Sequence, residues 1–223
     1  MSIHKTEVIF VKGTFITFEG NEGSGKTTVI KAVQDALVGA GFSVTLTREP
    51  GGSKIAEQIR NIILDKNNIE MDYRTEALLL AAGRRQHLAE IVLPALARED
   101  IVLCDRYVDS SLAYQGYARG IGIDEVYQMN LFATDHLLPE LTIYIDIDPE
   151  IGLRRIMNNN RNVNRLDLET LSFHKRVHEG YKIVSTMFPS RFVKIDGSKS
   201  KEFVTKEAIQ IVLRHLEEKR RSS

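Results

Sequence analysis

Hydrophobic residues recur along this chain in two rhythms that take turns. Short apolar runs at Phe15-Ile16-Thr17-Phe18, Val44-Thr45-Leu46-Thr47 and Ile101-Val102-Leu103-Cys104 are too brief for helices and rich in β-favouring residues. Together with similar runs later in the chain, they predict strands over about 14–19, 44–47, 101–105, 141–147 and 191–195. Between them, apolar residues fall three and four apart. Val29, Ile30, Val33 and Leu37 predict a helix to about Val38, stopped by Gly39 and Gly41. Ile55, Ile59, Ile62 and Ile63 predict a second helix with Ser53 as its N-cap. Asp72 caps a long predicted helix over 73–98, bent near its end by Pro94. Further helices are predicted over 109–117, 124–137, from Asp148-Pro149-Glu150 onward, 166–187 and 201–218. Strands alternating with helices imply a parallel sheet covered on both faces, an α/β architecture with ligands at the carboxyl ends of its strands.

The first junction carries a motif. Gly20-Asn21-Glu22-Gly23-Ser24-Gly25-Lys26-Thr27 fits G-x-x-x-x-G-K-[ST] at every position, with a strand before it and a helix after it. Glycines let the backbone approach a phosphate, and the helix-end N–H groups point at its charge. Lys26 reaches the β- and γ-phosphates, and the Thr27 hydroxyl can ligate Mg²⁺. The expected fold is therefore a three-layer P-loop NTPase fold with a five-stranded parallel sheet flanked by helices. Residues 1–12 read as a leader, 13–218 as one domain, and 219–223 as a solvated tail. The polar, Asn-rich stretch Asn158–Arg165 has no apolar face to bury, which predicts a short mobile lid at about 156–167.

Composition narrows the class. The formal net charge is zero over 223 residues, so no global field favours nucleic acid or anionic membrane, and phosphate must be held by local arginines. The single cysteine, Cys104, has no partner for a disulfide or a Cys-based zinc site and sits in an apolar run, which reads as a buried, inert thiol. No apolar run approaches the roughly 18 residues of a membrane span, and the N-terminus lacks a signal-peptide core. A cytoplasmic protein is expected.

Several side chains are placed for chemistry. Asp105-Arg106-Tyr107 follows the third strand, where an acid can hold the water shell of Mg²⁺ and an arginine can lie beside a transferred phosphoryl group. Ser110 and Tyr114, like Ser111 and Gln115, are four apart and share a helical face. Arg84 lies on the face of Leu80 in an otherwise apolar helix; it is either a buried donor needing an acceptor or a surface arginine beside Arg85. Arg154 and Arg155 precede the lid, and Arg161 and Arg165 lie on it. The phosphate loop itself has no arginine, a gap that a lid arginine could fill.

In combination, Phe18-Glu19-Gly20, Arg48-Glu49-Pro50-Gly51-Gly52, Arg84-Arg85, Asp105-Arg106-Tyr107 and Ser110-Ser111-Leu112-Ala113-Tyr114-Gln115-Gly116 resemble bacterial thymidylate kinases, from about Gly13 to near the C-terminus. The resemblance implies ATP-dependent phosphorylation of dTMP with Mg²⁺ in a homodimer, by direct in-line transfer. It implies that Arg60, Arg106 and the Arg48–Glu49 loop surround the acceptor phosphate, with Pro50 in a cis peptide. Glu19 would face the sugar 3′-OH and the metal waters, and Tyr114 would crowd the 2′ position. Arg84 and Gln115 would read the base, with Ser111 assisting and Leu80 beneath it, where many members place a phenylalanine. Arg161 and Arg165 would be the lid arginines. Two other readings stand beside this one: a kinase for another nucleotide or a deoxynucleoside, and a GTP-binding switch. The switch needs Asp-x-x-Gly after a strand, but Asp105 is followed by Arg106, Tyr107 and Val108.

Overall fold

The computed structural model describes residues 13–157 and 164–222. Its five strands are β1 (Thr14–Glu19), β2 (Val44–Arg48), β3 (Ile101–Asp105), β4 (Leu141–Asp146) and β5 (Phe192–Asp196), all paired in parallel in the order β2-β3-β1-β4-β5. The central strand, β1, is flanked by β3 and β4, so successive connections leave it in opposite directions and open a crevice at its carboxyl end. Register fixes what faces that crevice: Phe18 lies opposite Asp105, and Arg48 lies opposite Asp105 from the other side.

Alternation along each strand feeds two cores. On one face Ile16, Phe18, Leu103 and Ile143 pack under α1 (Lys26–Gly39) and α9 (Lys201–Ser222), through Val29, Val33, Val204 and Val212. On the other, Phe15, Val102 and Cys104 meet Leu88, Val92, Leu96, Leu112 and Val184. Burial from both sides explains the unbroken apolar run at 101–104. The Cys104 thiol is buried, and that burial pushes its pKa well up, as expected of an inert sulfur. Among the described residues no helix is long and apolar enough to cross a membrane.

The remaining helices are α2 (Lys54–Leu64), α3 (Tyr73–His87), α4 (Leu93–Ala97), α5 (Val108–Ser111), α6 (Ile123–Thr134), α7 (Pro149–Met157) and α8 (Leu171–Met187). Several depart from the expected bounds. The long helix over 73–98 is interrupted by a π-turn at Leu88–Val92, immediately before Pro94, which offers no N–H to the carbonyl four residues back. The helix over 109–117 is α-helical only to Ser111 and continues as a π-turn, Leu112–Ala118. The helix over 124–137 stops at Thr134, because Asp135 and His136 take left-handed conformations. Leu166–Leu168 is a separate 3-10 turn held by the Asn164 side chain, and Thr170 caps α8 by accepting from Phe173 N at 3.3 Å. Ser53 stands at the N-cap position of α2, but its hydroxyl makes no cap bond; Glu57 instead accepts from Gly52 N at 2.8 Å. Asp72 does cap α3, accepting from Arg74 N and Thr75 N. The last helix runs on to Ser222, and Lys219 is tied to Gly13 O, Thr14 Oγ1 and Glu140 rather than free in solvent. The leader over 1–12 and the lid stretch 158–163, with Arg161, lie outside the described residues.

Candidate active site

The phosphate loop joins β1 to α1. Gly23 has φ 71°, and a Cβ there would come within 2.1 Å of the Gly152 carbonyl oxygen in α7, so this position needs glycine on two counts. Lys26 folds back over the loop, donating to Gly20 O at 2.9 Å and Asn21 O at 3.1 Å. Burial, and Arg106 nearby, bring its pKa down to about 8. The Thr27 hydroxyl donates to Asp105 Oδ2 at 3.2 Å, so the two oxygen donors singled out for Mg²⁺ are together.

Beyond Asp105 the wall is cationic. Arg106 is held at φ 72°, an uncommon left-handed conformation for a side-chain-bearing residue. Its guanidinium donates to Glu22 Oε1 at 2.7 Å and Tyr181 OH at 3.1 Å, and it lies over the Tyr114 ring. The Glu49–Pro50 peptide is cis, and Arg48 and Arg60 both donate to the Pro50 carbonyl at 2.8 Å. Burial and the Arg48 charge lower the pKa of Arg60, so a bound anion would relieve this cluster.

The far end is built around Arg84, which is 3% exposed. Its Nε–H goes to Glu49 Oε2 at 2.7 Å, its Nη1 to Ser111 Oγ at 3.0 Å and to Asn130 Oδ1, and its Nη2 to Tyr107 O at 3.0 Å. A guanidinium has five N–H groups. One Nη2–H is left for a ligand. The buried-donor reading of Arg84 is thus the one realised. Burial alone would raise the Glu49 carboxyl, but the Arg84 charge and a bond from His87 Nδ1 outweigh it and hold it below the usual carboxylate range. Gln115 donates Nε2 to Glu76 Oε1 at 2.8 Å.

Two further expected residues, Glu19 and Arg165, are buried beside the crevice with protein partners of their own. Glu19 is fully buried behind the crevice wall, accepting from Tyr107 N (2.7 Å), Ser110 Oγ (2.8 Å) and Tyr181 OH (2.8 Å). Burial, with the charge of Asp109, pushes its pKa up to about 7. Arg165 is buried at the foot of the lid, where it donates to Ile63 O at 2.8 Å and to Glu76. Sequence reasoning missed Glu76, Asn130, Tyr181 and the Asp109–Arg191 pair, whose two bonds of 2.6 and 2.7 Å are buried. Only an acid or amide on an otherwise apolar face could have flagged Glu76 and Asn130.

Two cavities meet here. One is lined by the phosphate loop, Arg155, Gly197 and Lys199; the other by Arg48, Glu49, Arg60, Leu80, Arg84, Arg106, Ser110, Ser111, Tyr114 and Gln115. They share Glu22, Lys26 and Thr27, so ligands filling both would abut over Lys26.

Residues 18–208 match the family model described as Thymidylate kinase. The chain is 60% identical over 203 residues to a thymidylate kinase of Bacillus velezensis, covering 91% of this chain and 96% of that one. It is 57% identical to a thymidylate kinase of Clostridium novyi (88% and 96% covered), and 55% identical to one of Geobacillus thermodenitrificans (95% and 94%).

Proposed function

We infer the activity from membership: the chain belongs to the thymidylate kinase family, and it phosphorylates dTMP to dTDP at the expense of ATP. The observation that supports placing this chemistry in the described crevice is the pair of cavities joined at Lys26. ATP occupies the cavity of the phosphate loop, with backbone N–H groups of Gly20–Thr27 on its phosphates. dTMP occupies the other, its phosphate among Arg48, Arg60 and Arg106 and its base beside Leu80, Arg84, Ser111 and Gln115. The Tyr114 ring crowds the sugar, and Ser110, backed by Glu19, completes that wall.

Catalysis in this arrangement is positioning and charge neutralisation. A phosphate oxygen of dTMP attacks the γ-phosphorus in line, and ADP leaves as the P–O bond to the β-phosphate breaks. Lys26 and Arg106 flank the point of transfer. Arg106 exchanges Glu22 for the phosphoryl oxygens. Of the two arginines expected on the lid, Arg165 bonds Ile63 O and Glu76, and Arg161 lies outside the described residues. Thr27 and Asp105 present hard oxygen donors side by side, a set that suits Mg²⁺, which binds few protein groups and takes its other ligands from phosphate and water. Held there, the ion would offset the negative charge of the phosphate oxygens during transfer.

Base choice follows from donor and acceptor count. The spare Nη2–H of Arg84 suits the thymine O4 acceptor and opposes the amino group of cytosine. The enzyme acts as a homodimer in the cytoplasm; large apolar side chains left in solvent on α3 and α6, Leu78 at 60% and Phe132 at 87% exposure, support the dimer. A substrate panel tests the whole reading: dTMP, dUMP, dCMP, UMP and thymidine with ATP and Mg²⁺. Preference for dTMP is expected; preference for thymidine or a cytidine nucleotide overturns it.

A further inference from the structure

Gln115 is ambivalent by itself: its carboxamide can present two donors or an acceptor to a base, depending on a half-turn about its last bond. The structure removes that freedom. The partner behind it, Glu76, is wholly buried and takes Gln115 Nε2 at 2.8 Å. A carboxylate only accepts, so the amide nitrogen must face Glu76 and the carbonyl oxygen must face the cavity that Gln115 lines. Glu76 is itself held from the other side. Arg119 donates to it from Nε at 3.3 Å and Nη2 at 3.2 Å, and Arg165 donates as well. Glu169 accepts a third bond from Arg119, from Nη2 at 2.6 Å, which closes a set of two acids and two bases.

We propose that Glu76 is a specificity-positioning residue: it locks the Gln115 carboxamide so that only a base with a donor at N3 is accepted. This rests on the reading of Gln115 as a base-contacting residue. Thymine carries N3–H, which the carbonyl oxygen accepts. Cytosine carries a lone pair at N3, which would face that oxygen with no proton between them. Arg84 tests the neighbouring exocyclic group with its one spare N–H. A donor from Arg84 and an acceptor from Gln115 read two adjacent atoms, and the second reading exists only while Glu76 forbids the half-turn. Rejection of the wrong edge here is a repulsive contact built by a residue that never touches the ligand.

The experiment compares dTMP with 5-methyl-dCMP, which keeps the methyl group and changes only the N3/C4 edge. With Glu76→Gln, position 76 can donate or accept, Gln115 can turn, and the kcat/KM preference for dTMP falls roughly tenfold, chiefly by a gain for 5-methyl-dCMP. The readout is the ratio of kcat/KM for the two nucleotides on one preparation, which a general loss of turnover, including any that comes through the Arg165 contact with Glu76, leaves unchanged. A folded Glu76→Gln protein with wild-type preference overturns the proposal. The double variant Glu76→Gln with Arg119→Gln keeps the cluster neutral and gives the same result if the single variant does not fold. Gln115→Ala separates the two readings: if it leaves the preference unchanged, Gln115 does not read the base. If it abolishes the preference while both Glu76 variants retain it, the role of Glu76 alone is wrong. In the unaltered protein, the Gln115 side-chain amide protons, followed by ¹⁵N NMR without nucleotide, are expected to exchange slowly; rapid exchange, as for an amide turned to solvent, overturns the proposal independently of any variant.

Discussion

Replacing Glu49 by glutamine separates the charge of this carboxylate from its hydrogen bonds. One oxygen accepts from Arg84 Nε at 2.7 Å, and the other meets His87 Nδ1 at 2.9 Å. Glutamine keeps an oxygen for Arg84 and turns its amide nitrogen to His87. The imidazole answers by carrying its proton on Nε2 and donating to Thr47 Oγ1, 2.7 Å away. Every bond survives; the negative charge does not. With Arg84 and Glu49 side chains 3% and 4% exposed, solvent screens little of that charge. A charged hydrogen bond reduced to a neutral one should cost about 2 kcal/mol. Glu49→Ala instead leaves the guanidinium and the imidazole facing a hole, which should cost about 4 kcal/mol. For a chain of this size these losses correspond to roughly 4–8 °C and 8–16 °C in Tm. The dTMP KM should rise less than about threefold in the first variant and about tenfold or more in the second, where Arg84 loses its hold. The pH dependence has a definite sign. The Glu49 pKa is depressed on folding, so its stabilisation is present above the ordinary carboxylate value of 4.5 and is lost as pH falls below that through the folded value. The gap between wild type and Glu49→Gln should therefore narrow below pH 4.5. Urea denaturation at pH 7 and across the acid range measures all of this. Equal losses for the two variants, or a gap that widens in acid, would refute the reasoning.

Three further outcomes follow from the same geometry. Lys26→Ala and Arg106→Ala should each abolish dTMP phosphorylation while circular dichroism and Tm show a retained fold; in wild type, Mg²⁺-free ATP affinity should weaken as pH rises above about 8, where Lys26 loses its proton, and a flat titration would remove Lys26 from the phosphates. Glu19→Gln should gain stability relative to wild type between about pH 4.5 and 7, because a carboxyl whose pKa is raised to about 7 is favoured on folding only while protonated and loses that advantage as pH rises; denaturation curves at pH 5 and 8 that give the same difference would contradict this. Lys219→Ala should lower stability by about 1 kcal/mol, since a partly exposed ammonium there bonds Gly13 O and Thr14 Oγ1; no change in the urea midpoint would return that end to the solvated tail its composition suggests.

The parts legible in the chain are those whose physics is local. A phosphate loop needs glycines and a lysine at fixed offsets, and its flanks announce a strand and a helix, so both element types and their carboxyl-end placement could be read. The run at 101–104 is unbroken because both faces of that strand are covered, a signal the strand carries alone. What escaped reading was non-local or depended on a few tenths of a hydrogen bond. The π-turns at Leu88–Val92 and Leu112–Ala118 have the same apolar spacing as an α-helix over so short a stretch. Asn164 ends the expected continuation of α8 toward the lid by claiming two backbone N–H groups, a competition that spacing cannot weigh. The polar tract around Arg165 suggests solvent, yet the partners that bury this arginine, Ile63 O and Glu76, are about a hundred residues away in sequence.

That division bears on how specificity is built. Arg84 could be singled out as an arginine in need of acceptors, but its partners come from the β2–α2 loop, the stretch after β3, α5 and α6, and no one of them is suggestive in sequence. Their joint effect is to consume all but one donor and to fix where that donor points. An arginine on a flexible surface would offer five donors to either pyrimidine and would have to be ordered on binding. One that has already been immobilised offers a single N–H, loses little conformational entropy when a ligand arrives, and leaves a buried mismatch when the wrong base does. The selectivity of this crevice therefore depends on the residues that occupy the unused donors, and substitutions at Asn130 or Ser111 should loosen base choice even though each removes only one bond to Arg84.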